Sequence, residues 1–332
     1  MAEQLNDSFY LAPFQGITDA IYRTSYHKYF GGFDKYFAPY ISGTGDVKVA
    51  KSKLKDVWPE FNLHTPTIPQ FLSKDSSEIL LLLEAFASLG YKEANWNLGC
   101  PFQKVAGKGR GSGLLPFPDV IRGILQEIRE KALPIDLSIK MRTGYKTDRD
   151  IFPLLEIFEE FDIREIIIHP RTGIQLYKGV ASVNVFGECL NKSTHPLAWN
   201  GDIVNIESFN SLKQQFPSIN LWMIGRGALS HPGLALWLKD PNLYNHLDMA
   251  KKIFNFTKDI YDATLTRTQG INQVIDRMKP IWLYLSKSFA DPASAFRRIR
   301  KTTDAKAYLF AVEETLKNEV FLSPEELKGQ IT

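Results

Sequence analysis

Asn95-Trp96-Asn97-Leu98-Gly99-Cys100-Pro101-Phe102-Gln103-Lys104-Val105-Ala106-Gly107-Lys108-Gly109-Arg110-Gly111-Ser112-Gly113-Leu114-Leu115 decides how the rest of this chain is read. The run Glu93–Leu98 gives way to a thiol, side-chain amides, cations and closely spaced glycines. A segment that only fills a core has no use for that mixture, because glycine forgoes side-chain burial and buried amides need partners. Gly107, Gly109, Gly111 and Gly113 do not match G-x-G-x-x-G placed directly after a strand and opening a helix, which argues against a dinucleotide-binding doubly wound sheet. The stretch reads as a strand followed by a long site loop. In it Pro101 fixes the turn beyond Cys100, and the glycines let backbone approach a large ligand.

Working outward, short β-rich runs alternate with longer amphipathic stretches up to about residue 238, the pattern of repeated βα units. Eight strands are expected, at Phe9–Ala12, Lys35–Tyr40, Thr67–Leu72, Glu93–Leu98, Ile135–Met141, Glu165–His169, Leu197–Asn200 and Asn220–Ile224. Helical spacing fills many of the gaps, at Ser76–Leu89, Phe117–Lys131, Ile151–Phe161, Ile206–Phe216 and Pro232–Leu238. The residues at the C-terminal ends of the strands are repeatedly polar or glycine-rich. Pro13-Phe14-Gln15-Gly16 follows the first, Gln70 lies in the third, and Asn97 through Cys100 end the fourth. Lys140 and Arg142 end the fifth, His169 and Arg171 the sixth, Asn200-Gly201-Asp202 the seventh and Gly225-Arg226-Gly227 the eighth. A (β/α)8 TIM barrel brings such positions together on one face, where its active site lies.

After about Asp240 the strand signals stop, and Leu247–Ala263, Gln269–Ser288 and Ala305–Lys317 show helical spacing. The expectation is an α/β barrel domain over residues 1–240 and a small all-helical domain over 241–332. The helical part carries Arg277 and Lys279, and a denser basic cluster at Arg297, Arg298, Arg300 and Lys301.

The 332 residues, 44% of them apolar, are enough for a substantial core. Forty basic against 37 acidic residues give a net charge of only +3, so a basic surface must come from clustering. Cys100 and Cys189 make neither a disulfide framework nor a zinc pattern, so no metal is expected and a reducing, cytoplasmic setting is. No stretch approaches the roughly 18 apolar residues of a membrane span, and no export leader is visible. Nothing implies a protein partner, and a monomer is expected.

Several residues carry chemistry. Asn200-Gly201-Asp202 and Gly225-Arg226-Gly227 sit on adjacent loops where barrels often hold a phosphate. Lys140, inside the apolar run Leu137–Met141, is expected to point into the barrel mouth or to pair with a buried anion. Two roles suit it: a cation beside the N1–C2=O edge of a flavin, or the Schiff-base lysine of an aldolase-like barrel. His169 and Arg171, with Gln175 and Tyr177 nearby, gather donors on one loop suited to an aromatic, carbonyl-bearing ring. Cys189 reads as a buried, inert thiol. Cys100 is a nucleophile or an acid: the first needs a base, the second only a protonated thiol over the substrate.

Taken together, the motifs resemble the tRNA-dihydrouridine synthase family over essentially the whole chain. Asn97-Leu98-Gly99-Cys100-Pro101, Lys104-Val105, Gly109, Gly111 and Leu114-Leu115 are similar to its N-x-G-C-P…K-V…G-x-G-x-x-L-L signature. Ala12-Pro13-Phe14-Gln15-Gly16-Ile17-Thr18-Asp19 resembles its A-P-M-x-G-x-T-D opening, and His169 through Gly179 its H-x-R-T-x-x-Q-x-Y-x-G loop. The two glycine loops fit its final phosphate loops.

The resemblance implies a barrel bearing FMN, a C-terminal helical domain for tRNA, and reduction of the uracil C5=C6 bond with NADPH as electron source. By the same resemblance Pro13, Phe14, Gln15, Gln70, Lys140, His169, Asn200, Gly201, Asp202, Gly225 and Arg226 hold the flavin. Cys100 is then the proton donor, and Asn97 and Arg171 address the uracil, with Arg142 as a neighbour. The sequence departs from the family pattern in three places: Phe14 replaces Met, Asn95 stands where Asp is common, and Ala181-Ser182-Val183 lacks A-D-W. Two other classes stay open on the residues alone: a small-molecule pyrimidine or dihydroorotate-type flavin dehydrogenase, and an idle RNA-binding scaffold barrel.

Overall fold

The computed structural model describes residues 6–42, 49, 51–268 and 270–327. Nine parallel strand segments form one sheet: β1 Ser8–Leu11, β2 Lys35–Phe37, β3 Thr67–Ile68, β4 Gln70–Phe71, β5 Glu93–Leu98, β6 Asp136–Gly144, β7 Ile163–Thr172, β8 Leu197–Asn200 and β9 Leu221–Ile224. Their order is β3-β2-β1-β9-β8-β7-β6-β5-β4, so the two ends of the sheet are β3 and β4. Those ends are one chain segment, separated only by Pro69, whose ring nitrogen has no N–H to give the ladder. Ile68 O accepts from Ala38 N on one side, and Pro69 O accepts from Asn95 N on the other, each at 2.9 Å. A single stave thus closes the sheet into an eight-stave TIM barrel, and the expected strand Thr67–Leu72 is found split at its proline.

Strand alternation sorts the side chains. Phe9, Leu11, Trp96, Leu98, Ile139, Met141, Ile166, Ile168, Trp199, Trp222 and Ile224 belong to the large outer core between sheet and helices. Tyr10, Ala12, Phe37, Ile167, Ala198 and Met223 form a small separate cluster inside the barrel. Apart from Ile167, the interleaved positions of β5, β6 and β7 are mostly polar, among them Glu93, Asn95, Asn97, Ser138, Lys140, Glu165 and His169. Register sets Asn97 opposite Lys140, and Arg142 opposite His169 at the next inward position, so both pairs lie near the C-terminal rim.

Helices Ser76–Ser88, Pro118–Lys131, Ile151–Phe158 and Ile206–Gln215 lie close to their expected positions. Ala20–Tyr29, Val183–Leu190 and Pro292–Arg300 are additional helices. Each has an N-terminal signal at its cap, since Asp19, Ser182 and Asp291 accept from the backbone N–H three residues on.

The C-terminal portion is helical, with Met249–Leu265, Ile271–Leu285, Pro292–Arg300 and Ala305–Asn318. The expected start of its second helix, Gln269, lies outside the described residues. Phe256 packs edge-on against Tyr22, Tyr26 and Phe30 of the first barrel helix, which merges the two cores. Arg277, a residue of the local basic set, donates to Asp19 at 2.5 Å and ties helix Ile271–Leu285 to the barrel mouth. Among the described residues no helix is long and apolar enough to cross a membrane.

Candidate active site

The C-terminal ends of the strands enclose one cleft with two lobes. The first, about 70 Å³, is lined by Asn200, Gly201, Asp202, Gly225, Arg226 and Arg171. The second, about 270 Å³, is lined by Gln15, Gln70, Asn97, Cys100, Arg142, Tyr40 and Tyr284. Pro13, Phe14, Lys140, His169 and Tyr177 line both, so the lobes are continuous. The residues expected to hold the flavin, donate the proton or address the uracil all line this cleft, although Arg171 and Arg142 stand in different lobes; Gln175, expected among the donors of the His169 loop, instead accepts from Thr172 N and Oγ1.

Cys100 is held from two sides. Its backbone N–H and that of Gly99 donate to Asn97 Oδ1 at 2.9 and 3.0 Å, and its carbonyl accepts from Ser112 N and Oγ. Gly111 sits at φ +55°, and a Cβ there would collide with Cys100; a Cβ on Gly113 would collide with the Ala106 carbonyl. These two glycines fold the loop against itself and against the cysteine. The expectation that they admit a ligand is corrected accordingly: loop 101–115 forms a helix at Gln103–Ala106 and a tight turn at Gly111–Leu114. The thiol is left facing the cleft at 7% exposure. Cys189 is buried in the outer core, where burial and then Glu188 push its thiol up to about 12.

The floor of the cleft is cationic. Burial, reinforced by the charge on Arg142, pushes Lys140 down to about 7. Burial also lowers Arg142 to about 10, and its guanidinium donates to Thr172 O while lying 5.5 Å from the Tyr177 ring. His169 is held well below its ordinary range by burial and by Arg142, Lys140, Arg171 and Arg226. Its ring is neutral, and Nε2 accepts from Arg171 at 2.9 Å, which leaves the proton on Nδ1.

Arg171, 2% exposed, also donates to Gly179 O and to Asp202, and Asp202 in turn pairs with Arg226 at 3.1 Å. Among the described residues, Lys140, Arg142, Arg171 and Arg226 thus face a single lining carboxylate, Asp202. That donor set fits an anionic ligand with a phosphate at the Asn200–Asp202 and Gly225–Gly227 end. Phe14 supplies a flat apolar face where the two lobes meet. Both features suit FMN.

Two lining residues, Tyr40 and Tyr284, were not among the site residues expected from the sequence. Tyr40 lies just beyond β2 with its phenolic oxygen 3.8 Å from Cys100 Sγ. Tyr284, from helix Ile271–Leu285, meets Phe14 edge-on at 5.9 Å and brings the C-terminal portion to the cleft wall. Tyr40 could have been found as the last residue of the expected second strand. Tyr284 carries no local signal. Among the described residues no cluster of His, Cys, Asp or Glu could hold a metal.

The fold and the cleft define a TIM-barrel protein with a phosphate-type loop pair, a cationic floor and a rim thiol. Solved barrels share the architecture. They include a 2-naphthoyl-CoA reductase complex, TM-score 0.52 at 13% identity over 70% of this chain and 50% of that one, and the old yellow enzyme homologue from Zymomonas mobilis, TM-score 0.51 at 9% identity over 73% and 93%.

A family model described as dihydrouridine synthase matches residues 10–321, and the chain belongs to that family. It is similar to the tRNA-dihydrouridine(16) synthase of Neisseria meningitidis serogroup A, 28% identical over 309 residues covering 89% of this chain and 90% of that one. It is also similar to tRNA-dihydrouridine synthase B of Pasteurella multocida, 30% identical over 70% of this chain and 68% of that one, and to that of Escherichia coli K12, 29% over 69% and 70%.

Proposed function

We propose that this protein reduces the C5=C6 bond of uridines in tRNA, using bound FMN and NADPH as the external reductant. The observation that carries the reading is the sharing of one cleft by the Cys100 thiol and the Lys140–His169 floor. Relatives that span nearly the whole chain carry tRNA in their names, which favours an RNA substrate over a free pyrimidine.

Reduced FMN, when bound, supplies a hydride for C6 of the uracil. Pro13, Phe14, Gln15, Gln70, Lys140 and His169 would hold its ring, and Asn200, Gly201, Asp202, Gly225 and Arg226 its phosphate end. Cys100 gives its S–H proton to C5 and is left as a thiolate, which regains a proton from solvent before the next turnover. As C5 awaits that proton, negative charge gathers on the uracil O4, and preorganised donors lower the barrier there.

Asn97 and Arg142 line the Cys100 lobe and would be donors to such a ring. Asn97 commits one of its two amide N–H groups to Gln70, leaving the other for the substrate. Arg171 belongs to the other lobe, and its role in this reading is to orient His169 and Asp202. A stacked, paired uridine cannot enter, so the target is splayed from a loop into the mouth. The C-terminal helices would engage the tRNA backbone.

The test is to incubate the purified protein with NADPH and an unmodified tRNA pool and to map the uridines that gain two hydrogens. Reduction at defined loop positions supports the reading. Turnover of free pyrimidines with none on tRNA would overturn it in favour of the small-molecule alternative.

A further inference from the structure

Five buried side chains run in single file up the barrel interior and end at the turn that carries Cys100. Ser138 Oγ donates to Glu93 Oε1 at 2.9 Å, and Asn95 Nδ2 donates to Ser138 Oγ at 2.9 Å. Gln70 Nε2 donates to Asn95 Oδ1 at 2.8 Å, and Asn97 Nδ2 donates to Gln70 Oε1 at 2.7 Å. Asn97 Oδ1 then accepts from the N–H groups of Gly99 and Cys100. All five residues are buried, Asn95, Gln70 and Ser138 completely.

The direction of this chain is fixed at both ends. At the base the Glu93 carboxylate accepts, and it is ion-paired with Lys35 at 2.7 Å and Arg164 at 3.2 Å. At the top the backbone N–H groups can only donate. Each amide between them has one orientation that satisfies both neighbours, and flipping any one would set donor against donor. Ser138 has a single proton; its other acceptor, Ala94 O, is farther away at 3.5 Å. Residue 95 must therefore donate to Ser138 while accepting from Gln70, which an amide can do and a carboxylate cannot.

We infer that Glu93, Ser138 and Asn95 are positioning residues that set the amide orientations of Gln70 and Asn97 and thereby the turn holding Cys100. The inference deepens the reading of Cys100 as the proton donor and rests on it. Burying a polar chain of this kind is tolerable only when every member is satisfied, so one inverted partner disturbs the whole.

Asn95→Asp tests it with a near-isosteric change, sparing packing while placing two carboxylates on one hydroxyl. Two quantities are read: the rate at which a neutral alkylating reagent modifies Cys100 in the purified protein, and kcat and KM on unmodified tRNA. Expected is a change of about tenfold in the alkylation rate and a fall of about tenfold in kcat with KM within about twofold. The double variant Glu93→Gln with Asn95→Asp moves the carboxylate up one place and restores a consistent direction; it recovers both readouts to within about threefold. Where Asn95→Asp does not fold, Ser138→Ala shows the same change and Ser138→Thr reverses it. Wild-type alkylation and kcat in Asn95→Asp, or a double variant no better than the single, would overturn the inference. The proton-donor reading is judged separately by Cys100→Ala.

Discussion

The sulfur of Cys100 lies 3.8 Å from the phenolic oxygen of Tyr40, and the two groups face the same lobe of the cleft. Burial, and then the neighbouring sulfur, raise the phenol and keep it protonated. With the thiol intact, S–H donates to the phenolic oxygen. Once the proton has gone to uracil, the Tyr40 O–H can turn and donate to the thiolate. A sulfur anion formed in a confined lobe then keeps a hydrogen-bond partner.

Tyr40→Phe should accordingly lower kcat about tenfold to a hundredfold, the scale of one hydrogen bond to a charged group, with KM for tRNA little changed. Steady-state kinetics on unmodified tRNA check this. An equal loss in KM alone would place Tyr40 in substrate binding.

Lys140 gives a pH signature. Its folded value is about 7 against an unfolded value of about 10.4, so between these limits the unfolded chain holds a proton that the folded one lacks. Stability of the flavin-free protein should rise with pH across that window, and Lys140→Met should remove this part of the slope. An anionic ligand beside Lys140 returns its proton, so flavin affinity should fall as pH climbs above about 7. Urea unfolding and flavin titration from pH 7 to about pH 9.5 measure both effects.

Tyr284 connects the C-terminal helices to the cofactor lobe through Phe14. Tyr284→Ala should weaken flavin retention about two- to tenfold, because Phe14 would no longer be braced by an edge-on ring, without unfolding the protein. Equilibrium dialysis against free FMN, with a thermal melt as control, checks it.

Much of this architecture was legible in the chain. In Glu93–Leu98 inward polar and outward apolar residues keep strict period two, the mark of a half-polar strand. The residues lining the cleft were legible because strand ends carried polar groups where a barrel has no structural need for them. Three things were not. The split of the third stave depends on which neighbour each half pairs with, a property of closure and not of Thr67–Phe71 itself. Gly111 and Gly113 were read as making room for a ligand, yet they make room for Cys100 and Ala106, and only the folded loop shows which. Tyr284 reads as one more helix-face aromatic until helix Ile271–Leu285 is docked over the mouth.

The basic cluster near the C-terminus separates into two kinds. Arg298 is engaged by Glu319 at 2.9 Å, whereas Arg297, Arg300 and Lys301 are exposed. Neutralising the exposed three should reduce the slope of log affinity for tRNA against log salt by about 0.7 to 0.9 for every phosphate they neutralise in the complex. An unchanged slope would remove them from the interface.

The central claim is that Cys100 is the acid of a flavin-bearing cleft. Cys100→Ala, purified and compared with wild type, measures it most directly through flavin absorbance and dihydrouridine formation on unmodified tRNA. The account predicts a yellow protein with flavin content near wild type and a rate reduced at least about a hundredfold, as expected when a general acid is removed. A variant that keeps its flavin and forms dihydrouridine at the wild-type rate would contradict it.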